Sequence, residues 1–387
     1  MSSFPLFPVS MVGSWPRPQA LLRAQKLKRA GKLDPAEFEK QADAAVLEVL
    51  AAQQRAGVDV VTDGEQRRDN FYSFVAEKLA GIQIMTLAEL IDVIEDKEAF
   101  ERILQTLDVP AYSLSNPTCV GRIERRAPLA VDELRFLKQH TDKPVKIPLP
   151  GPYLLTRAMF VKEVTRKVYP SKEALSVDVV RILRAEVEDL LRQGADFIQF
   201  DEPVLTEVAF SSGQTRTFMC ASLAAGGDPA EELEFAVSLM NRVLEGFDEA
   251  YTGLHICRGN WSQDETTLLR GNYAPLKPYL ERLKVKQLVL EYATERAGDV
   301  MSFAEESLGL GVVNPRTEHT ETPEEVIAQV EKALEFYRPQ QLWLNPDCGF
   351  GTFSNSPVNT APLAEAKMKA IGDAAVTLRK RFPTKQE

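Results

Sequence analysis

Eight short runs of β-branched and leucine-rich residues recur along the chain, separated by longer stretches with helical periodicity, and this alternation restricts the possible fold most. Strands alternating with helices are typical of βα units, in which helices cover a parallel sheet. The predicted strands are 9–14, 58–63, 145–149, 197–201, 253–257, 287–291, 309–313 and 341–345. Eight is the number that closes such a sheet, so we predict an α/β fold, a single (β/α)8 TIM barrel.

The stretches between these runs predict amphipathic helices. The predicted helices are 35–55, 172–193, 229–244 and 322–336. Apolar residues within 174–191 follow the helical period, and Gly194 is suited to the left-handed conformation that often ends a helix. Thr322 followed by Pro323 predicts a helix that begins with an N-cap and a proline in its first turn.

One long stretch, 71–139, separates the second and third predicted strands and exceeds what a single crossover helix needs. We interpret it as a mostly helical insertion, with a helix within 87–107 followed by an irregular segment at 116–128. The domain prediction is therefore one catalytic barrel over 1–387 that carries this insertion across its rim.

Charge and hydropathy restrict the partners and the compartment. The chain has 387 residues and a formal net charge of -10, which disfavours nucleic acid and anionic membranes, because phosphate groups attract basic surfaces. No apolar run is long enough to cross a bilayer, and the N-terminus lacks the pattern of a signal peptide. We expect a cytoplasmic protein that acts on small molecules.

Four potential metal ligands follow predicted strands: His255, Cys257, Glu291 and Cys348. The carboxyl ends of parallel barrel strands meet at one rim, where such barrels carry their active sites. His255 and Cys257 lie two residues apart, so their side chains share one face of a strand. Imidazole, two thiolates and a carboxylate suit Zn²⁺, so we predict a zinc site.

The segments around these residues resemble those of a known family. HIC, LVLEY and LWLNPDCGFGT are similar to the zinc-ligand segments of the catalytic barrel of cobalamin-independent methionine synthases. MVGSWPRP, VVTDGEQRRDNFY and ADFIQFDEPVLTE agree with further segments of that family in order and spacing. The resemblance implies a zinc-dependent methyltransferase that transfers a methyl group to the thiolate of homocysteine and forms methionine.

The resemblance also assigns expected roles to residues of this chain. The zinc ligands are implied to be His255, Cys257, Glu291 and Cys348. Asp201, expected also to be catalytic, and Glu65 are implied to bind the ammonium group of homocysteine. The residues implied to receive its carboxylate group are Val12, Gly13 and Ser14. Acidic groups for a cation, and amide and hydroxyl donors for an anion, are chemically consistent assignments.

Two positions depart from the family pattern. Arg316 stands where the family has a histidine proton donor, and His319 follows three residues later. Both are catalytic candidates, although an arginine is too basic to donate a proton near neutral pH. Ala158 stands where the family has a tryptophan near its folate site. The methyl donor therefore stays open between a methyl-folate and a methyl-corrinoid, the latter possibly carried by a partner protein.

Other functions fit part of the same pattern. One alternative keeps the zinc thiolate but alkylates another thiol, such as coenzyme M with an epoxide, with Arg316 or Arg17 holding its acidic group. A barrel similar to uroporphyrinogen decarboxylase is a second alternative, favoured by Arg17 and Arg23 near the first strand. A zinc- or corrinoid-binding module without catalytic activity is a third. A metal measurement separates the zinc-thiol hypotheses from the decarboxylase.

Overall fold

A six-stranded parallel sheet, whose strands lie side by side in chain order, forms the centre of the molecule. The computed structural model describes residues 4–86, 89–90, 92, 115–210, 227–260, 269–303, 306–354 and 357–383. The strands in chain order are β1 (Leu79–Thr86), β2 (Ser115–Arg125), β3 (Lys146–Pro150), β4 (Phe197–Asp201), β5 (Thr252–Ile256), β6 (Gln287–Leu290), β7 (Ser307–Val313) and β8 (Leu342–Pro346).

Two short extended segments join the edges of this sheet. Val9 pairs with Leu344 of β8, Ser10 pairs with Val60, and Val61 pairs with Val145 next to β3, all in parallel. Backbone pairing therefore runs around a ring of eight extended segments. The predictions for the last six strands are confirmed within one or two residues, whereas the first two predicted strands are reduced to these bridges.

Helices pack on the outside of the sheet. In chain order they are α1 (Gln19–Arg29), α2 (Pro35–Arg55), α3 (Val131–His140), α4 (Pro152–Met159), α5 (Lys162–Thr165), α6 (Lys172–Arg192), α7 (Val204–Phe210), α8 (Pro229–Leu244), α9 (Lys277–Leu280), α10 (Pro323–Ala333) and α11 (Ala361–Arg381). The predicted N-cap of α10 is confirmed, because Thr322 and Glu325 form a capping box. Gly194 has φ +82°, as a residue that ends a helix in the left-handed region requires.

The insertion differs from its prediction in the residues that the structure describes. β1 and β2 pair in antiparallel fashion from Leu79 opposite Arg125 to Thr86 opposite Ser115. Most of the segment 116–128, which was predicted to be irregular, thus belongs to β2. The prediction of a mostly helical insertion is wrong for the residues of β1 and β2. The predicted helix at 87–107 lies largely outside the described residues.

In the second half of β2, over 119–125, buried and more exposed side chains alternate, and Gly121 obscures this pattern in the sequence. Cys119 and Ile123 are buried, whereas Val120 between them is 41% exposed. This period of two is what a sheet with one covered face requires. Proline and glycine are uncommon inside strands, which explains why the segment suggested a loop.

The two ends of the ring have different side chains. Val60, Phe197 and Trp343 form a buried cluster near the amino ends of the strands, with Tyr251 stacked on Trp343. At the carboxyl ends, polar side chains replace these aromatic ones. Any chemistry of the ring therefore belongs at its carboxyl edge, as the sequence predicted.

Candidate metal centre

The strand register brings the predicted ligands to one place. Asp201 at the end of β4 pairs directly with His255 of β5. Glu291 follows β6, and Cys348 follows β8. Because these strands are parallel neighbours in one ring, their carboxyl ends converge on one rim.

Three ligand atoms, from His255, Glu291 and Cys348, lie within 4.8 Å of one another, and all three residues are buried. Cys257 is not part of this closest group, but its Sγ lies 3.7 Å from Sγ of Cys348. Two thiolates on one tetrahedral zinc, each at about 2.3 Å, are separated by about 3.8 Å. The sulfur spacing therefore fits a shared ion.

His255 presents one ring nitrogen to this group. Its Nδ1 lies 2.9 Å from Oδ1 of Asp201, whereas its buried Nε2 has no hydrogen-bond partner. In the neutral imidazole, Nδ1 therefore carries the hydrogen that it donates to Asp201, and Nε2 keeps its lone pair. Burial lowers the pKa of His255, but the Asp201 hydrogen bond and charge outweigh it and raise the pKa overall. A buried imidazole with a free lone pair and a carboxylate behind it is typical of a metal ligand.

Glu291 is fully buried and held by three donors. The backbone N–H of Arg258 donates to its Oε1 at 2.7 Å, and the side-chain amide of Asn260 donates to the same oxygen. Arg296 donates to Oε2 at 2.5 Å. These contacts compensate for the burial of the carboxylate, since a buried charge without partners is costly.

The two thiols differ in their surroundings. The backbone N–H of Gly259 donates to Sγ of Cys257 at 3.1 Å. Hydrogen bonding with Cys348 lowers the pKa of Cys257, and the same contact raises the pKa of Cys348 well above its ordinary value. The contact between the two sulfurs therefore favours a proton on Cys348 over a proton on Cys257.

A cavity of about 530 Å³, counting the part that opens to solvent, lies against these groups. Its lining residues are Val12, Ser14, Glu65, Phe71, Asp201, Pro203, His255, Cys257, Asn260, Cys348, Gly349, Thr352 and Phe353. Most of the predicted substrate residues thus face the same space as the predicted metal ligands. Gly13 lies beside it, since a Cβ on Gly13 would overlap Oε1 of Glu65.

Glu65 sits in the cavity wall under unusual constraints. It is 2% exposed with φ +56°, and its Oε2 has no hydrogen-bond partner. Burial raises the pKa of Glu65 to about 7, and the charge of nearby Asp201 contributes in the same direction. Two buried carboxyl groups facing one cavity favour a cationic ligand between them.

The two catalytic candidates after β7, Arg316 and His319, differ in burial. Arg316 is buried, and its Nε donates to Oδ1 of Asn260 at 2.9 Å. Asn260 in turn contacts Glu291, so Arg316 lies one side chain behind the ligand group. His319 has a 61% exposed side chain and pairs with Glu325 at 3.3 Å. The structure does not bring His319 to the cavity.

Asn260 and Arg296 were missed in the sequence. Asn260 lies in the segment after β5 and Arg296 in a short 3-10 helix after β6, where the sequence shows no periodicity or motif that distinguishes them from solvated polar residues. Only their long-range hydrogen bonds to Glu291 reveal their place in the site. Arg17 is also engaged, because its terminal nitrogens donate to the backbone carbonyls of Gly351 and Glu65.

Comparison with known proteins agrees with this geometry. A family model described as the catalytic domain of cobalamin-independent synthase matches residues 7–371. A methionine synthase from Thermococcus kodakarensis is 30% identical over 349 residues, 89% of this chain and 87% of the relative. One from Saccharolobus solfataricus is 30% identical over 361 residues, 92% of this chain and 91% of the relative.

Solved structures show the same fold. A B12-independent methionine synthase from Shewanella sp. W3-18-1, in complex with selenomethionine, superimposes with a TM-score of 0.72 at 24% identity. The match covers 97% of this chain and 99% of that one.

Together with these matches, the parallel α/β ring and its buried imidazole, carboxylate and thiol group indicate an enzyme of the methyltransferase class. The chain belongs to the cobalamin-independent methionine synthase catalytic-domain family. Among the described helices, none combines the length and apolarity needed to cross a membrane.

Proposed function

We propose that the protein forms methionine by transferring a methyl group to the sulfur of homocysteine at a zinc site. The zinc ligands would be His255, Cys257, Glu291 and Cys348. The observation that carries the proposal is the convergence of His255, Glu291 and Cys348 within 4.8 Å, with the second sulfur 3.7 Å away. We take the ring as one (β/α)8 barrel over 1–387 with an insertion at 71–139.

Zinc bound here would supply the positive charge that deprotonates a substrate thiol at neutral pH. The unpartnered Nε2 of His255 and the paired sulfurs are the soft and borderline donors that zinc prefers. The carboxylate of Asp201 would keep the imidazole oriented through Nδ1.

The amino-acid end of homocysteine would lie in the adjoining cavity. Its ammonium group would bind between Asp201 and Glu65, where an incoming cation stabilises the ionised form of Glu65. Its carboxylate group would meet the segment Val12, Gly13 and Ser14. Gly349 permits the approach of this segment, because a Cβ on Gly349 would overlap Oγ of Ser14.

Glu291 is the ligand we expect the substrate sulfur to displace. A displaced carboxylate needs donors, and Arg258, Asn260 and Arg296 already supply three of them. Its release therefore leaves no unpaired buried charge, whereas in the described part of the chain the Cys348 sulfur has only the Cys257 sulfur as a hydrogen-bond partner. X-ray absorption at the zinc edge tests this: an added sulfur on homocysteine binding is expected, and no added sulfur would contradict it.

The alternative thiol with an acidic tail is less well supported. Arg17 is occupied by backbone carbonyls, and Arg316 lies behind Asn260 rather than in the cavity wall. The pair of acidic residues in the wall suits an ammonium group better than a second anion. Homocysteine is therefore the favoured thiol.

The function is tested by incubating zinc-loaded protein with homocysteine and, separately, methylcobalamin or methyl-tetrahydrofolate, and measuring methionine. Formation with either donor supports the proposal and identifies the class of donor. A cobalt-substituted sample provides the control for substrate choice. If homocysteine leaves its spectrum unchanged while another thiol produces a thiolate-to-cobalt band, the homocysteine assignment is wrong.

A further inference from the structure

Four polar side chains form a continuous hydrogen-bonded line inside the ring. Nζ of Lys146 donates to Oε1 of Gln199 at 3.1 Å, and Nε2 of Gln199 donates to Oδ1 of Asp201 at 2.9 Å. Nδ1 of His255 contacts the same Oδ1 at 2.9 Å. Lys146 and Gln199 are fully buried on β3 and β4. The line thus runs from the ring interior to a predicted metal ligand.

The amide of Gln199 has only one orientation in this setting. Its Nε2 also donates to the carbonyl oxygen of Val12 at 3.0 Å, and a carbonyl oxygen can only accept. Its Oε1 faces the amine of Lys146, which donates. Reversing the amide would place two acceptors together at Val12 and two donors together at Lys146. The two neighbours therefore fix the amide from both sides.

The fixed amide restricts the conformation of the Asp201 side chain. Oδ1 of Asp201 receives one N–H from Gln199 and the second from His255, which holds the carboxylate in one rotamer. Because Asp201 engages Nδ1, Nε2 is the ring nitrogen of His255 that remains available for a metal beside Glu291 and Cys348. The amide also ties Val12, at the start of the predicted substrate segment, to the same carboxylate.

We propose that Lys146 and Gln199 are positioning residues that hold Asp201, and through it the imidazole of His255, in the orientation that binds metal. The proposal rests on the proposed metal role of His255. It differs from a purely structural role, in which Lys146 only fills the interior through its contacts with Ser10 and the ring of Phe197.

Isosteric variants of Gln199 test the proposal directly. Gln199→Met removes the amide at constant length, and Gln199→Glu replaces its donor by an acceptor facing Asp201 and Val12. We expect each to weaken zinc binding, measured by chelator competition, by about 10- to 100-fold, as for other residues that orient metal ligands. Leu183→Ala, on the buried face of α6, is the control: it should lower stability and leave zinc affinity within about twofold.

The role of Lys146 is tested by a double-mutant cycle. If Lys146 acts through Gln199, Lys146→Met weakens zinc binding in the native background. In the Gln199→Met background, the same substitution should cause little further loss of zinc affinity. Fully additive losses would overturn the linkage. Should Lys146→Met fail to fold, Lys146→Gln takes its place in the cycle, and the Gln199 variants decide the role of Gln199 independently.

The metal-free protein supplies an independent measurement. The chain has three histidines, and His140 and His319 are exposed, so ¹⁵N-labelled histidine isolates the ring of His255. Its Nδ1 resonance should move or broaden in Gln199→Met and stay unchanged in Leu183→Ala. An unchanged resonance and an unchanged zinc affinity in Gln199→Met would refute the positioning role. If the native protein binds no zinc, the proposed function fails, and the resonance alone decides the hydrogen-bonded line.

Discussion

Sγ of Cys257 lies 3.7 Å from Sγ of Cys348, although one residue follows β5 and the other follows β8. This distance is too long for a disulfide bond, in which the sulfurs are about 2.0 Å apart, and it fits two thiolates on one ion. The ring places both sulfurs at its rim, away from the apolar contacts that hold the strands together. The position of the pair therefore supports the proposal that both sulfurs bind one ion.

The first prediction concerns these thiols. Cys257→Ser and Cys348→Ser should each weaken zinc binding at least tenfold and abolish methionine formation, because serine is a poor ligand for a borderline-soft ion. Circular dichroism should still show a folded protein. Cys119→Ser is the matched control, since Cys119 is buried in β2 and contacts the carbonyl of Gly121 instead of the site. Global unfolding of either site variant would contradict a purely catalytic role.

The sequence predicted the ring well because its signal is local. Each strand is a short apolar run, and the rule that parallel strands share a carboxyl edge then grouped His255, Glu291 and Cys348 without any knowledge of distances. The limits of 197–201 agree with those of β4, whose residues are all buried. The first two runs were overextended, because they pair only at single bridges.

The rest of the site depends on contacts between distant loops. Asn260 joins Glu291 to Arg316 through its two amide atoms, and no spacing in the sequence links these three residues. Arg316, at the position of the family histidine, and His319, three residues later, were both catalytic candidates, yet the turn after β7 buries Arg316 and exposes His319. Loop conformation of this kind is not encoded in periodicity, which explains why the supporting residues were missed.

A second prediction follows from the raised pKa of Glu65. Burial raises the pKa of this carboxyl group from 4.5 to about 7, so the folded state binds its proton more tightly than the unfolded state. The free energy of unfolding therefore decreases as the pH rises from about 4.5 to 7. Once Glu65 is ionised in both the folded and the unfolded state, the loss is about 3 kcal/mol. Glu65→Gln removes the carboxyl group that causes this loss. The variant should therefore be more stable than the native protein at pH 8 and about equally stable at pH 4.5.

Urea unfolding at the two pH values measures the difference. Glu48→Gln, at an exposed position of α2, is the control and should show no such pH-dependent gain. The same Glu65→Gln variant should raise the KM for homocysteine at least tenfold, because a charged partner of the ammonium group is lost. Equal stability differences at pH 4.5 and pH 8 would show that Glu65 is ionised without penalty.

A third prediction concerns the donors that receive Glu291. Asn260→Leu removes the amide that contacts Glu291 and Arg316 at nearly constant size. The carboxylate then loses one of three donors, and its release should become less favourable. We expect slower turnover, by about 10- to 100-fold, with little loss of zinc. Asn241→Leu is the control, because the half-buried side-chain amide of Asn241 in α8 also makes two hydrogen bonds, but to the backbone of Arg282 and Lys284 instead of to the site. If the variant loses zinc together with activity, Asn260 holds Glu291 in place for metal binding, and the prediction is wrong.

The last prediction separates the two candidates after β7. His319 is mostly exposed and pairs with Glu325 at the start of α10, so His319→Gln should leave kcat within about twofold. Arg316→Gln removes the Nε donor to Asn260 and should lower kcat at least tenfold, because Asn260 then loses the contact that holds its amide against Glu291. Steady-state kinetics with saturating homocysteine measure both. A large loss of kcat in His319→Gln, with normal zinc content, would mean that this loop moves into the cavity during turnover and that the histidine acts there.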